Sequence, residues 1–347
     1  MIRIGVIGYG YWGPNIVRNL RSLEGCQLTA VCDQSPAALQ RVRQAYPDLP
    51  VTRKPYDLLT SPEIDAVAVV TPVSTHFDLA KVALENGKHV FIEKPFTSTT
   101  QQAEELIELA ERKNLRIMVD HTFLFTGAVR KIRQLIEEGV LGDLYYYDST
   151  RVNLGLFQHD ISVIWDLAPH DLAIMDFLIQ QKPEAVIATG EAHLNGVVDI
   201  AFLTIYFPGQ TIAHLNVNWL SPVKVRTTLI GGEKKMLVWN DLEADEKIKV
   251  YDKGVQMNDG QGLYELLVSY RSGDMWAPQV EQLEALQVEI NHFLECIEQG
   301  KTPVNDGLAG LRVVKMLEAA EKSIRNRGQL VELQDVPQAA AAAGARA

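Results

Sequence analysis

Ile2-Arg3-Ile4-Gly5-Val6-Ile7-Gly8-Tyr9-Gly10-Tyr11-Trp12-Gly13-Pro14-Asn15 joins a run of β-type residues to the start of a helix through glycines spaced G-x-G-x-x-G. A glycine pattern this short arises by chance, and its setting between a strand and a helix gives it meaning. In that setting Gly8 permits the tight turn and Gly10 lets the backbone approach a diphosphate. Gly13 lets helix and strand pack closely. The free N–H groups at the helix start then face an anion. Gly8, Tyr9, Gly10, Tyr11, Trp12 and Gly13 are therefore candidates for dinucleotide binding. A strand–turn–helix with no ligand would have the same local pattern.

Working outward, the second β-type run ends in Val31-Cys32-Asp33, 20 positions past Gly13. A carboxylate there accepts hydrogen bonds from an adenosine ribose diol and repels a 2′-phosphate. Its neighbours Gln34 and Ser35 bring no cation, so NAD is expected rather than NADP, with Asp33 and Gln34 beside the ribose. Arg41 and Arg43 read as a solvated helix face.

The alternation continues. Ile2–Gly8, Gln27–Asp33, Ala66–Thr71, His89–Glu93 and Arg116–Asp120 read as buried strands. Pro14–Leu23, Pro36–Ala45, Thr75–Asn86 and Ser98–Lys113 carry apolar residues at helical spacing. Repeated strand–helix–strand units predict a doubly wound parallel sheet, an α/β domain of the Rossmann type, over residues 1–122. From residue 123 the pattern changes. Ala128–Glu138 and Ser162–Leu178 read as helices, Glu184–Tyr251 as strands with alternating sides, and Gln279–Gln299 and Leu308–Asn326 as closing helices. In Thr211–Trp219, Thr211, Ala213, Leu215, Val217 and Trp219 point one way, whereas Ile212, His214, Asn216 and Asn218 point the other. Gly231-Gly232 is a hairpin signal. Residues 123–335 are thus expected to form an α+β domain with a mostly antiparallel open sheet, followed by a disordered tail at 336–347.

Composition limits the partners. The chain has 347 residues, enough for two domains, and 33 Lys+Arg against 44 Asp+Glu, a net charge of −11 that argues against nucleic acid. No apolar run is long enough to span a bilayer, and the N-terminus lacks the features of a signal peptide. Cys26, Cys32 and Cys296 offer neither a disulfide framework nor metal-ligand spacing. A cytoplasmic protein with no metal is expected.

Three further stretches, Thr71-Pro72-Val73-Ser74-Thr75-His76, Glu93-Lys94-Pro95 and Asp166-Leu167-Ala168-Pro169-His170, resemble the glucose–fructose oxidoreductase/inositol dehydrogenase (Gfo/Idh/MocA) family over nearly the whole chain. The GYGYWGPN turn, the WDLAPHD segment and Arg271–Pro278 look most like its branch acting on nucleotide-activated amino sugars and uronic acids. That resemblance implies oxidation of a secondary ring hydroxyl, at C3 in that branch, and a homodimer or homotetramer. It makes Lys94 the active-site lysine and the Asp166/His170 pair catalytic, with His170 as general base. It also sets Thr71, Pro72 and His76 along the cofactor and Glu93 beside the nicotinamide ribose. Ile161–Trp165 departs from the pattern, being bulky where many relatives carry glycines.

The residues support that chemistry on their own terms. Lys94 follows a strand at its carboxyl end, where ligands bind in doubly wound sheets, and an amine there can stabilise a developing alkoxide. Asp166 and His170 are four apart, on one helical face, so the carboxylate could hold the imidazole. Alternatively Asp166 simply caps the helix. His121 is a plausible substrate contact. An anionic substrate needs cations, for which Arg151, Lys224 and Arg226 are candidates. Asn153 and Gln158 are polar neighbours, and His159 and Asp160 lie close by. The competing readings are a free-polyol (inositol) dehydrogenase or ketosugar reductase, and a regulatory protein that binds NAD without turnover.

Overall fold

The computed structural model describes residues 1–155, 161–257 and 268–333. Gln158, His159, Asp160 and the tail from 336 lie outside the described residues. The first part runs β1 (Ile2–Ile7), α1 (Gly13–Ser22), β2 (Cys26–Cys32), α2 (Pro36–Ala45), β3 (Val51–Thr52), α3 (Pro55–Leu59), β4 (Ala66–Val69), α4 (His76–Glu85), β5 (His89–Glu93), α5 (Thr100–Arg112) and β6 (Ile117–Asp120). The second runs α6 (Gly127–Glu137), β7 (Leu144–Leu154), α7 (Val163–Leu178), β8 (Ala185–Glu191), β9 (Ile200–Tyr206), β10 (Ile212–Asn218), β11 (Leu220–Gly232), β12 (Met236–Asn240), β13 (Ile248–Met257), β14 (Val268–Trp276), α8 (Ala285–Gln299), α9 (Gly307–Arg325) and β15 (Val331–Glu332).

Among the described residues the strands form two sheets. The first, in the order β3-β2-β1-β4-β5-β6, is parallel throughout. Strand order reverses at β1 and β4, so a crevice opens at their carboxyl ends, the place where such sheets bind ligands. Every residue of β4 and β6 is buried, as a sheet covered by helices on both faces demands. α1 turns Ile16, Val17 and Leu20 inward. The two-residue β3 and the five-residue α3 were not anticipated, being too short to display a period.

The second sheet is ordered β14-β13-β12-β11-β7-β10-β9-β8-β15, antiparallel except where β7 meets β10. The alternation expected in β10 is present: Ala213, Leu215, Val217 and Trp219 are buried, while His214 is exposed. Gly231 pairs with Met236 across the expected hairpin. β7, central to the sheet, was missing from the sequence reading because its inward side carries Ser149 and Arg151 rather than aliphatic residues. α8 begins at Ala285 instead of Gln279. Glu284 before it is extended and gives its carboxylate to Arg18 and Asn19 of α1.

α8 and α9 pack back on the first sheet. Phe293 of α8 meets Phe91 of β5 edge-on at 5.8 Å. Beside β6, the Val119 N–H donates to the Asn305 carbonyl at 2.9 Å.

Candidate active site

The glycine turn has the form a diphosphate needs. Gly8 adopts φ 105°, and a Cβ there would lie 2.1 Å from the Val70 carbonyl oxygen. A Cβ on Gly13 would lie 2.5 Å from the Gly8 oxygen, whereas at Gly10 nothing stands within 4 Å. Gly10 thus faces the open space a ligand requires. The Asp33 carboxylate, at the end of β2, accepts the Tyr9 and Ser35 N–H groups, each at 2.7 Å. Gln34 is exposed, and its carbonyl accepts from Arg53 at 3.1 Å. Arg41 is exposed, as expected, and also supports the turn. Its guanidinium donates to the Tyr9 carbonyl at 3.0 Å and lies over the Tyr9 ring. Tyr11 is fully exposed, and Trp12 reaches away from the turn to donate its indole N–H to Asp120 at 2.7 Å.

Two loops frame the crevice. Thr71 and Pro72 follow β4, where the Thr75 hydroxyl donates to the Thr71 hydroxyl at 2.7 Å. His76, expected along the cofactor, is instead completely buried, with its ring nitrogens 2.7 Å from the Thr71 carbonyl and 3.0 Å from the Pro95 carbonyl. Neither nitrogen is left for a cofactor. The ring ties the loop after β4 to the Glu93-Lys94-Pro95 loop after β5.

Lys94 reaches from that loop to α7. Its Nζ donates to the Asp166 carbonyl at 2.8 Å and stands 3.4 Å from Asp166 Oδ1. The Trp219 indole donates to Asp166 Oδ2 at 3.2 Å. The one-face alignment of Asp166 and His170 therefore does not produce the expected pair: among the described residues, Asp166 makes no hydrogen bond to His170. Its carboxylate is taken by Lys94 and Trp219, and it does not cap the helix, which starts at Val163. His170 packs edge-on against Phe123 at 5.0 Å, with Nδ1 buried and unpartnered. Burial, then the charges of Lys94 and Arg151, hold its imidazole well below its ordinary titration range.

Cations gather around this histidine. Arg151 and Arg226 are paired in register across β7 and β11, with guanidinium carbons 4.6 and 5.6 Å from the Phe123 ring centre. Arg151 is almost wholly buried and gives Nε and Nη2 to Asp171 at 2.6 and 3.2 Å, so it is not the free anion-binder expected. Its Nη1 is buried without a partner. Arg226 holds Asp241 at 3.4 Å. Lys224 is exposed, and Asn153 shares the inward face of β7 with Arg151. His121 is buried with both nitrogens unpartnered, and burial and Lys94 push it down to about 3, so it is a neutral ring.

The described residues fit a nicotinamide dinucleotide. The glycine turn opens to solvent at Gly10, and the carboxyl ends of β5 and β6 present unpartnered buried polar atoms, Glu93 Oε2 and the His121 ring. Burial and the neighbouring Asp120 raise Glu93 far above the usual carboxyl range. Sequence reasoning missed Glu289, buried on α8 with its Oε1 accepting from the Asn305 amide, which also donates to the Val119 carbonyl next to Asp120. The signal was there: a Glu on the stripe formed by Leu286, Ile290, Phe293 and Leu294, where a solvated acid has no place.

Two family models match the chain. The first, described as an oxidoreductase family with an NAD-binding Rossmann fold, covers residues 2–121, and a GFO/IDH/MocA C-terminal domain covers 129–238. UDP-N-acetylglucosamine 3-dehydrogenase of Acidithiobacillus ferrooxidans is 29% identical over 90% of this chain and 94% of its own. The scyllo-inositol 2-dehydrogenase (NAD(+)) of Bacillus subtilis is 27% identical over 96% of both. A solved structure of the Acidithiobacillus enzyme superposes with a TM-score of 0.78 at 27% identity, covering 94% of this chain and 98% of that one. An oxidoreductase of Agrobacterium radiobacter, crystallised with NAD+, L-tartaric acid and magnesium, shares the fold at TM-score 0.81 and 16% identity, over 96% of this chain and 98% of its own. With the dinucleotide turn, the lysine loop and the antiparallel second sheet in place, the chain belongs to the Gfo/Idh/MocA family of NAD-binding oxidoreductases.

Proposed function

We propose that this dehydrogenase oxidises a secondary ring hydroxyl, at C3, of a nucleotide-activated uronic acid or amino sugar. Bound NAD supplies the hydride acceptor. His170, neutral at pH 7, takes the hydroxyl proton, and Lys94 hydrogen-bonds the same oxygen and stabilises its alkoxide character. Asp166 serves Lys94, fixing the amine between its carbonyl and carboxylate. Asp33 accepts from the adenosine ribose, and Thr71, Pro72 and Glu93 line the rest of the cofactor cleft. The same residues would reduce a ketosugar.

One observation carries the substrate class: Arg151 Nη1 is buried without a partner among the described residues, on the Phe123 ring that His170 also packs against, a cationic donor better suited to an anion-bearing sugar than to a neutral polyol. Similarity to an inositol dehydrogenase keeps a free polyol as the second reading. A screen of UDP-, dTDP- and GDP-sugars with inositols, following absorbance of reduced cofactor, separates the two. Turnover of a UDP-amino sugar or UDP-uronate is expected, and turnover confined to inositols would overturn the proposal.

We also infer a cytoplasmic homodimer or homotetramer joined through the outer face of the second sheet. That face exposes Phe202, Ile212 and Leu229 around His214, which stacks on Phe202. Light scattering that returns a monomer would remove this assignment.

A further inference from the structure

Two buried carboxyls, Asp120 and Glu289, stand close to the half-buried Glu93 of the cofactor cleft. Glu93 and Asp120 are paired in register on β5 and β6, and Glu289 approaches Asp120 from α8. Asp120 accepts the Trp12 indole N–H at 2.7 Å and the Thr122 hydroxyl at 2.5 Å, and both bonds favour its ionised form. Glu289 is wholly buried. Its Oε1 accepts from the Asn305 amide at 2.8 Å, and no donor reaches Oε2 among the described residues. The Asn305 amide that holds Glu289 also donates to the Val119 carbonyl at 2.5 Å, which sets Glu289 beside Asp120, and two carboxyls this close and this buried share a proton rather than both carry charge. Asp120 already accepts two hydrogen bonds and Glu289 Oε2 accepts none, so Glu289 is the better place for that proton.

The other end of this chain of bonds is the dinucleotide turn. Trp12 lies between Gly10 and Gly13, and its indole ties the loop after β1 to the end of β6, three strands away in the sheet. On the ligand side the turn is open at Gly10. Its shape is held by Arg41 on the Tyr9 carbonyl, Asp33 on the Tyr9 N–H and, from behind, Asp120 on Trp12.

We propose that Glu289 is a positioning residue for the cofactor: protonated, it donates to Asp120, and through Asp120 and Trp12 it holds the turn in the form that receives the diphosphate. A charged Glu289 would face Asp120 and Glu93, and Lys94, whose charge acts on those two, already sits on Asp166. Loss of the proton then pushes Asp120 and Glu289 apart and loosens Trp12. Cofactor affinity should accordingly fall at alkaline pH.

The test is titration of NAD+ and NADH, read as dissociation constants between pH 6 and pH 10, so that no turnover is needed. E289L should weaken NAD+ binding about tenfold at pH 7, the effect of one lost charge-assisted hydrogen bond. E289Q keeps a donor that cannot ionise, so it should restore affinity at pH 7 and abolish the alkaline loss seen in the wild type. In a W12F background, E289L should cost nothing further. The proposal is overturned if the E289L and W12F losses add, if E289Q binds as weakly as E289L, or if the wild-type and E289Q pH profiles coincide. Should E289L fail to fold, the wild-type and E289Q profiles decide the matter alone.

Discussion

Replacing His170 by alanine is expected to lower kcat about 10³-fold, within the range for removal of a general base, while NAD affinity stays within about twofold of the wild type because the ring lies outside the dinucleotide turn. The argument is electrostatic. His170 is surrounded by Lys94, Arg151 and Arg226, and its Nδ1 is buried without a partner. Burial and these charges disfavour the imidazolium, so the base form is already populated at pH 7. The acid limb of kcat/KM should therefore fall well below pH 6.5, the ordinary imidazole range. Initial rates of cofactor reduction across pH, with the sugar identified by the screen, measure both effects. A mutant retaining more than about a tenth of the wild-type kcat, or an acid limb near pH 7, would place the base elsewhere.

The largest expected loss of stability follows Asp171→Ala. Asp171 is 2% exposed and accepts three hydrogen bonds, two from Arg151 and one from the Ser149 hydroxyl at 2.9 Å. Its removal leaves a guanidinium buried beneath Phe123 with no carboxylate bonded to it among the described residues. Breaking a buried pair in this way costs about 3–5 kcal/mol, which for a protein of this size lowers Tm by roughly 4–7 °C. The double variant Arg151→Met with Asp171→Leu removes both charges and should melt above Asp171→Ala, since the penalty lies in the orphaned charge rather than in the lost bond. Calorimetry on the three proteins decides. Melting of Asp171→Ala within about 2 °C of the wild type would mean that water reaches Arg151.

The nucleotide-binding half was legible because its signals are local. Gly8, Gly10 and Gly13 act within one turn, Asp33 ends the next strand, and buried parallel strands appear as short aliphatic runs. The second half was legible where one sheet face is apolar, as in β10. β7 was not, since its inward Ser149 and Arg151 are satisfied by Asp171, 20 or more residues away, and a satisfied polar residue breaks the apolar alternation that marks a strand. The site followed the same division. Lys94 and His170 were readable from their motifs. The partner of Asp166 was not, because spacing on a helix shows which side chains can meet and not which bond wins. His76 bonds backbone carbonyls, which leave no trace in side-chain pattern. The contact of Glu289 with Asp120 spans 169 positions, and only its misfit among apolar neighbours hinted at it.

The pairing of β6 has a bearing on how the chain reaches this shape. One edge of that strand is covered by Asn305 and Asp306, which arrive 186 or more residues after Val119. A nascent polypeptide leaving the ribosome thus carries an open strand edge through most of its synthesis, with the cofactor cleft unbraced behind it. The half that is written first thus waits on residues near the end of the chain, and cofactor captured early would meet a turn whose support had yet to emerge.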